Sequence, residues 1–195
     1  MKNKICILQI IEKALLYIAL LCLFAGILFS AFVYVEKKYI YPLKYKEEVF
    51  LFADEYQIEK ELVFATIKVE SGFDKNAKSS KGAVGLMQIS PDTAKFIASE
   101  IGVQTFDLTN EKTNIHFGCF YLKYLINKFE NVKTAIVAFN AGEGNVSRWL
   151  QNNETSKDGK SLDFVPFKES REYLKKIEKS MIKYKKLYDK ILDKQ

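Results

Sequence analysis

The hydropathy pattern of the chain changes character once, near its start. Residues 14–35 carry no charged side chain, a run of the roughly 20 residues that a helix needs to cross a hydrocarbon core. From residue 46 onward apolar positions instead recur at three- and four-residue steps, the period of helices with one buried face. Val49, Phe50, Phe52 and Ala53 mark a first helix over 46–56, and Leu62, Val63, Thr66, Ile67 and Val69 a second over 59–70. Gly72 stands where a helix stop is expected. Ser90-Pro91-Asp92 combines a hydroxyl cap, a proline suited to the first helical position and an early acid, and predicts a helix up to Ile101 and Gly102. Ile115, Cys119, Leu122, Leu125 and Ile126 lie along a long helix over 110–129. A short apolar helix over 132–141 ends at Gly142, and a further turn runs from Gly144 to Trp149-Leu150. Residues 151–163 are polar and loop-like. Beyond Pro166, Tyr173, Ile177, Met181, Tyr184, Tyr188 and Ile191 form the core-facing stripe of a last helix starting at Lys168. The fold class is therefore mainly α, a helical domain behind one N-terminal apolar helix.

Composition narrows the chemistry. The 195 residues contain three prolines and nine glycines, too few for a sandwich or barrel of many tight turns. Cys6 and Cys22 fall in the apolar leader and Cys119 stands alone in the remainder, which excludes a disulfide within the domain and the usual zinc sites. The single histidine, His116, has no neighbours suggesting a nucleophile. Neither metal nor cofactor is expected. The net charge of +6 is nearly all lysine, because Arg148 and Arg171 are the only arginines. A protein that reads bases would use more arginine, and no aromatic-basic motif accompanies the lysines, so nucleic acid is not the expected partner. The lysines suit a surface facing a membrane or acidic polymers.

Four segments follow: a short N-terminus (1–13), a membrane anchor (14–35), a linker (36–45) broken by Pro42, and a folded domain (46–195). A cleaved signal peptide is the alternative to an anchor. The apolar run exceeds the usual signal core of about 7–15 residues, and no small-x-small cleavage site precedes Glu36, which favours the anchor. Lysines flank both ends, so charge alone assigns no orientation.

Glu70 projects from the apolar face of the second helix, at its C-terminal end. Burial and the helix dipole both favour the protonated carboxyl there, as a general acid requires. A glutamate paired within the core would occupy the same position. Gly82 and Gly85 bracket a tight turn that lets backbone come close to a ligand or another element, and Gln88 can both donate and accept hydrogen bonds to a sugar.

Three ordered blocks carry a resemblance. Glu70-Ser71-Gly72-Phe73, Ala77, Ser79, Gly82-Ala83-Val84-Gly85-Leu86-Met87-Gln88, Pro91 and Ala94 form the first. Ala138-Phe139-Asn140-Ala141-Gly142, with Gly144 and Val146, forms the second, and Pro166-Phe167-Lys168-Glu169-Ser170-Arg171-Glu172-Tyr173 the third. Together they resemble the soluble-lytic-transglycosylase-like family, whose fold is related to goose-type lysozyme. The resemblance implies cleavage of the β-1,4 bond between N-acetylmuramic acid and N-acetylglucosamine without water. By its match to the family's catalytic glutamate, Glu70 would act first as acid and then as base, closing a 1,6-anhydro ring. The resemblance also implies that Ser79, Met87, Gln88, Phe139, Asn140 and Glu169 contact the glycan. Phe139 stands where the family usually has tyrosine, leaving Tyr121 and Tyr124 as candidates to supply the missing hydroxyl. Ser90 replaces a methionine often found there. Asp74 is the only other acid on the motif loop and the rival second carboxylate of a hydrolytic muramidase. A non-catalytic glycan-binding scaffold is the third reading. The expected partners are peptidoglycan strands, the membrane through the leader, and a cell-wall or secretion machinery, with the domain outside the cytoplasmic membrane.

Overall fold

An apolar helix opens the chain. The structure, a computed structural model, describes residues 2–193, with side chains from residue 13. The side chains of Lys2, Lys4, Cys6 and Glu12 in the N-terminal flank, and the last two residues of the expected domain, lie outside the described residues. The first helix, α1 (Lys2–Val35), passes into a π-helical turn over Glu36–Ile40. Within this stretch Lys13–Ile40 is long and apolar enough to cross a membrane. The first half of the expected linker is thus helical. Tyr41, at φ −129°, is where the helical geometry stops, one residue before Pro42. The chain divides at Pro42 into two compact units.

The second unit contains α2 (Lys46–Glu55), α3 (Lys60–Ser71), α4 (Pro91–Glu100), α5 (Glu111–Phe129), α6 (Val132–Ala141), α7 (Glu143–Leu150) and α8 (Lys168–Leu192). Three caps set three of these starts. The side chains of Ser90, Asn110 and Asn131 accept hydrogen bonds from the backbone N–H groups of Thr93, Thr113 and Thr134. Among the described residues, extended structure is confined to the isolated bridges Lys78–Val84 and Val84–Ile89.

Helix α3 packs along α8, which also lies on α6, while α5 packs against α2, α4 and α6. Leu62, Val63, Phe64 and Ile67 of α3 are buried, and the Phe64 ring stacks on Tyr184 of α8 at 5.4 Å. The buried face of α8 is Ser170, Tyr173, Ile177, Ser180, Tyr184, Tyr188 and Leu192. It differs from the expected stripe at Met181 and Ile191, which are half-buried. Leu192 follows Tyr184 and Tyr188 at four-residue steps on this face, and the backbone at Tyr188 is non-helical (φ −135°, ψ 15°).

Candidate active site

Glu70 stands in the last turn of α3, and Gly72 closes that helix in the left-handed conformation (φ 59°). The next residue of the Glu-Ser pair ties this end down. The Ser71 hydroxyl donates to the Leu86 carbonyl at 2.8 Å and accepts from the Phe73 N–H. The helix carrying Glu70 is therefore stitched to the far end of the glycine-bracketed loop.

That loop is held from behind by a fully buried asparagine. Asn114 of α5 donates through Nδ2 to the carbonyls of Val84 (2.9 Å) and Leu108 (2.8 Å), and its Oδ1 accepts from the Met87 N–H at 2.7 Å. Gly85 permits this approach: a Cβ there would lie 2.2 Å from Asn114 Nδ2 and 2.5 Å from the Leu108 carbonyl oxygen. Its φ of +82° also favours glycine. Gln88, itself at φ 48°, spends its Nε2 on the carbonyls of Ala77 and Gly85. The Ser79 Oγ accepts from the Ala83 N–H at 3.0 Å.

A cleft of about 420 Å³ opens over Glu70, with Ser79, Lys81 and Gln88 on one side. Tyr121 of α5, Phe139 and Asn140 of α6, and Glu169 of α8 complete it. The Asn140 Oδ1 accepts from the Ser170 hydroxyl at 2.7 Å, which joins the second and third sequence blocks across α6 and α8. Of the expected site residues, Glu70, Ser79, Gln88, Phe139, Asn140 and Glu169 meet at this cleft. Met87 is placed elsewhere. Its side chain is fully buried beneath the loop, so close to Gly118 that a Cβ there would lie 2.1 Å from the Met87 sulfur. Packing fixes it there, behind the cleft wall. Asp74 is exposed, accepts from the Asn76 N–H and is not among the cleft residues.

Electrostatics single out Glu70. Burial pushes its carboxyl up from 4.5 to about 7; the Tyr173 hydroxyl bonded to it pulls the other way, and the Glu169 charge adds a further push. Tyr173 is itself buried, and burial followed by the adjacent Glu70 charge holds its phenol well above 10. The hydroxyl that meets Glu70 therefore comes from the third block. Tyr121 lies beside Phe139, the rings tilted by 49° with centroids 5.7 Å apart, and lines the cleft, while the hydroxyl of Tyr124 interacts with Glu143 and Lys128. Arg171 does not pair with Glu169: its Nη1 donates to the carbonyls of Val165 (2.6 Å) and Pro166 (2.9 Å).

A family model described as the transglycosylase SLT domain matches residues 49–162. The chain belongs to this family. This SLT domain is 32% identical over 143 residues to the soluble lytic murein transglycosylase of Escherichia coli (strain K12), a match covering 70% of this chain and 22% of that protein. It is also 32% identical over 166 residues to the membrane-bound lytic murein transglycosylase C of Haemophilus ducreyi, covering 72% and 45%. The chain thus spans about a fifth of the first of these relatives and slightly under half of the second. Among solved structures, the 70 kDa soluble lytic transglycosylase of Escherichia coli superposes with a TM-score of 0.66 at 29% identity, covering 75% of this chain and 25% of that one. An inactive variant of the lytic transglycosylase Slt from Pseudomonas aeruginosa gives the same TM-score at 27% identity, covering 75% and 24%. The lysozyme-like helical fold of the SLT domain is shared with these neighbours.

Two residues that shape the SLT site escape a reading of the pattern. Tyr173 looks like one more apolar position of α8, although its place in the third block is a signal. Asn114 has a clearer one: it is a polar residue in line with Gly118, Leu122 and Leu125 on the buried face of α5.

Proposed function

We propose that the chain is a peptidoglycan lytic transglycosylase tethered to the cell membrane by its N-terminal helix, with the SLT domain on the wall side. One observation carries the reading: a carboxyl that keeps its proton to about pH 7 at the floor of an open cleft. Such a group can donate a proton near neutrality. Glu70 gives its proton to the glycosidic oxygen as the C1–O bond of N-acetylmuramic acid breaks. The resulting carboxylate then takes the proton from that sugar's 6-hydroxyl while the hydroxyl oxygen bonds C1. The proton count of Glu70 is restored, and the product ends in a 1,6-anhydro ring. The internal hydroxyl replaces water and reacts at high effective concentration.

Ser79, Gln88, Asn140 and Glu169 supply polar contacts to the sugars, and Phe139 an apolar surface. The names of the relatives, soluble and membrane-bound lytic murein transglycosylases, support the substrate class. The apolar stretch Lys13–Ile40 supports the tether, and a murein substrate outside the cytoplasmic membrane supports the orientation.

Purified sacculi treated with the full chain in detergent should release muropeptides with anhydro ends, read by mass spectrometry. Glu70→Gln should lose at least about a hundredfold in rate, the usual scale of general acid–base catalysis. Reducing ends would instead indicate a hydrolytic muramidase, a reading favoured by the second carboxylate, Glu169, in the same cleft. Binding without cutting by the wild type would indicate a glycan-binding scaffold, which the replacement of the usual tyrosine by Phe139 favours.

A further inference from the structure

Helix α8 carries a second face, opposite its buried one. Between Lys175 and Lys190 stand seven lysines against two acids, Glu178 and Asp189, so this stretch supplies most of the chain's net charge of +6. Glu178 is already taken by Lys133, at 2.7 Å. Lys175, Lys176, Lys179, Lys185, Lys186 and Lys190 are all exposed, and none forms an ion pair among the described residues. Elsewhere on the domain, Lys75 and Lys128 each meet a glutamate at 3.2 Å.

Steps of four, three and four residues place Lys175, Lys179, Ile182 and Lys186 on one side of α8. The buried residues Tyr173, Ile177, Ser180 and Tyr184 occupy the other. Tyr173 reaches Glu70 at the end of α3 and Tyr184 stacks on Phe64 nearer its start, so α8 runs antiparallel along α3 with the lysines turned away from it. The cleft takes Glu169 from the first turn of α8 and none of these lysines. The face is therefore separate from the glycan site.

Like charges four residues apart, as at Lys175 and Lys179, weaken a helix, and no carboxylate among the described residues offsets them. An external anionic surface would. Ile182, 69% exposed at the centre of the lysines, narrows the choice. A hydrophilic polyanion gains nothing from an apolar side chain there. A lipid surface uses both: lysines reach headgroup phosphates while the isoleucine enters the boundary with the acyl chains.

The chain keeps such a surface close. Residues 41–45 alone separate the end of the apolar stretch at Ile40 from the start of α2 at Lys46, a reach of roughly 20 Å at most. So short a connection holds the domain at high effective concentration beside the headgroups, where individually weak lysine contacts suffice.

We infer that Lys175, Lys179 and Lys186, flanked by Lys176 and Lys185 and centred on Ile182, dock α8 flat on a bilayer of anionic lipid headgroups. This rests on the membrane-tether reading and adds an orientation to it. With α8 against the bilayer, the Glu70 cleft stays at a fixed height and cuts the strands nearest the membrane.

The full chain, reconstituted in vesicles of phosphatidylcholine alone or with phosphatidylglycerol, is acetylated by a membrane-impermeant lysine reagent and read residue by residue by mass spectrometry. Phosphatidylglycerol should slow acetylation of Lys175, Lys179 and Lys186 about three- to tenfold. Lys95 of α4 and Lys112 of α5 should not change, and about 1 M salt, with a screening length of about 3 Å, should remove the protection. Lys175→Gln, Lys179→Gln and Lys186→Gln together should restore acetylation of Lys176 and Lys185. The three arginine replacements should keep those two protected, and both variants should keep the thermal midpoint in detergent. Equal acetylation in the two vesicles, or equal protection of Lys95 and Lys112, would overturn the docking face. So would protection in phosphatidylcholine that grows with protein density, the mark of self-association, or protection by soluble polyphosphate and not by lipid. Alkaline carbonate extraction from phosphatidylcholine vesicles scores the tether separately. Retention without lysine protection removes the docking face and keeps the tether; extraction together with protection on anionic vesicles does the reverse.

Discussion

Replacing Glu70 with glutamine removes the proton that governs the site, and protein stability registers the change without any substrate. In the folded domain the carboxyl keeps its proton up to about pH 7, against an ordinary value of 4.5 once the chain unfolds. Between these values the unfolded chain has released a proton that the folded one still holds. Wild-type stability therefore falls as pH rises from 4.5 through 7 and levels off above that. At 1.36 kcal/mol per pH unit the full separation corresponds to about 3 kcal/mol. The cleft admits solvent to part of the carboxyl, which reduces this to about 1.5–2 kcal/mol. Glutamine carries no such penalty. The thermal midpoint of Glu70→Gln relative to wild type should rise by about 3–8 °C between pH 4 and pH 8, given 2–4 °C per kcal/mol for a domain of this size. Calorimetry of the two proteins in matched detergent across that range measures the gap. A gap independent of pH, or one that shrinks toward pH 8, would refute the buried-acid reasoning.

The remaining expectations concern the groups around that acid. Tyr173→Phe removes the hydrogen bond that restrains the Glu70 carboxyl, so the alkaline limb of kcat/KM on sacculi should move up by about half a pH unit to one unit. Asn114→Ala leaves two carbonyls and one N–H of the loop without their buried partner. Its urea-derived stability should fall by about 3 kcal/mol or more. Ser90→Ala deletes the α4 cap and should cost about 1 kcal/mol in the same assay.

Local chemistry made most of the helices legible. Ser90-Pro91, Asn110 and Gly72 act through side-chain caps or left-handed backbone that depend on few distant contacts, and the helices begin or end beside them. The blocks around Glu70, Phe139 and Glu169 likewise meet at one cleft. What stayed hidden depends on tertiary detail. Met87 reads as a groove residue until Gly118 is seen to leave space for its sulfur. The missing tyrosine at Phe139 points to Tyr121 and Tyr124 of α5 as substitute hydroxyls, whereas Tyr173 reads as a core position of α8. The packing of α3 against α8 brings Tyr173 to Glu70 instead. The kink at Tyr188 has no proline or glycine to announce it.

Because α8 packs along α3 and contributes Glu169, the proton that Glu70 holds near neutrality is a property of the finished molecule. Ribosomes deliver Glu70 well ahead of that closing helix. Until it docks, the glutamate is an ordinary water-exposed carboxylate, already ionised and unable to donate at neutral pH. Translation order thus imposes a delay, and a C-terminally truncated chain would be chemically mute.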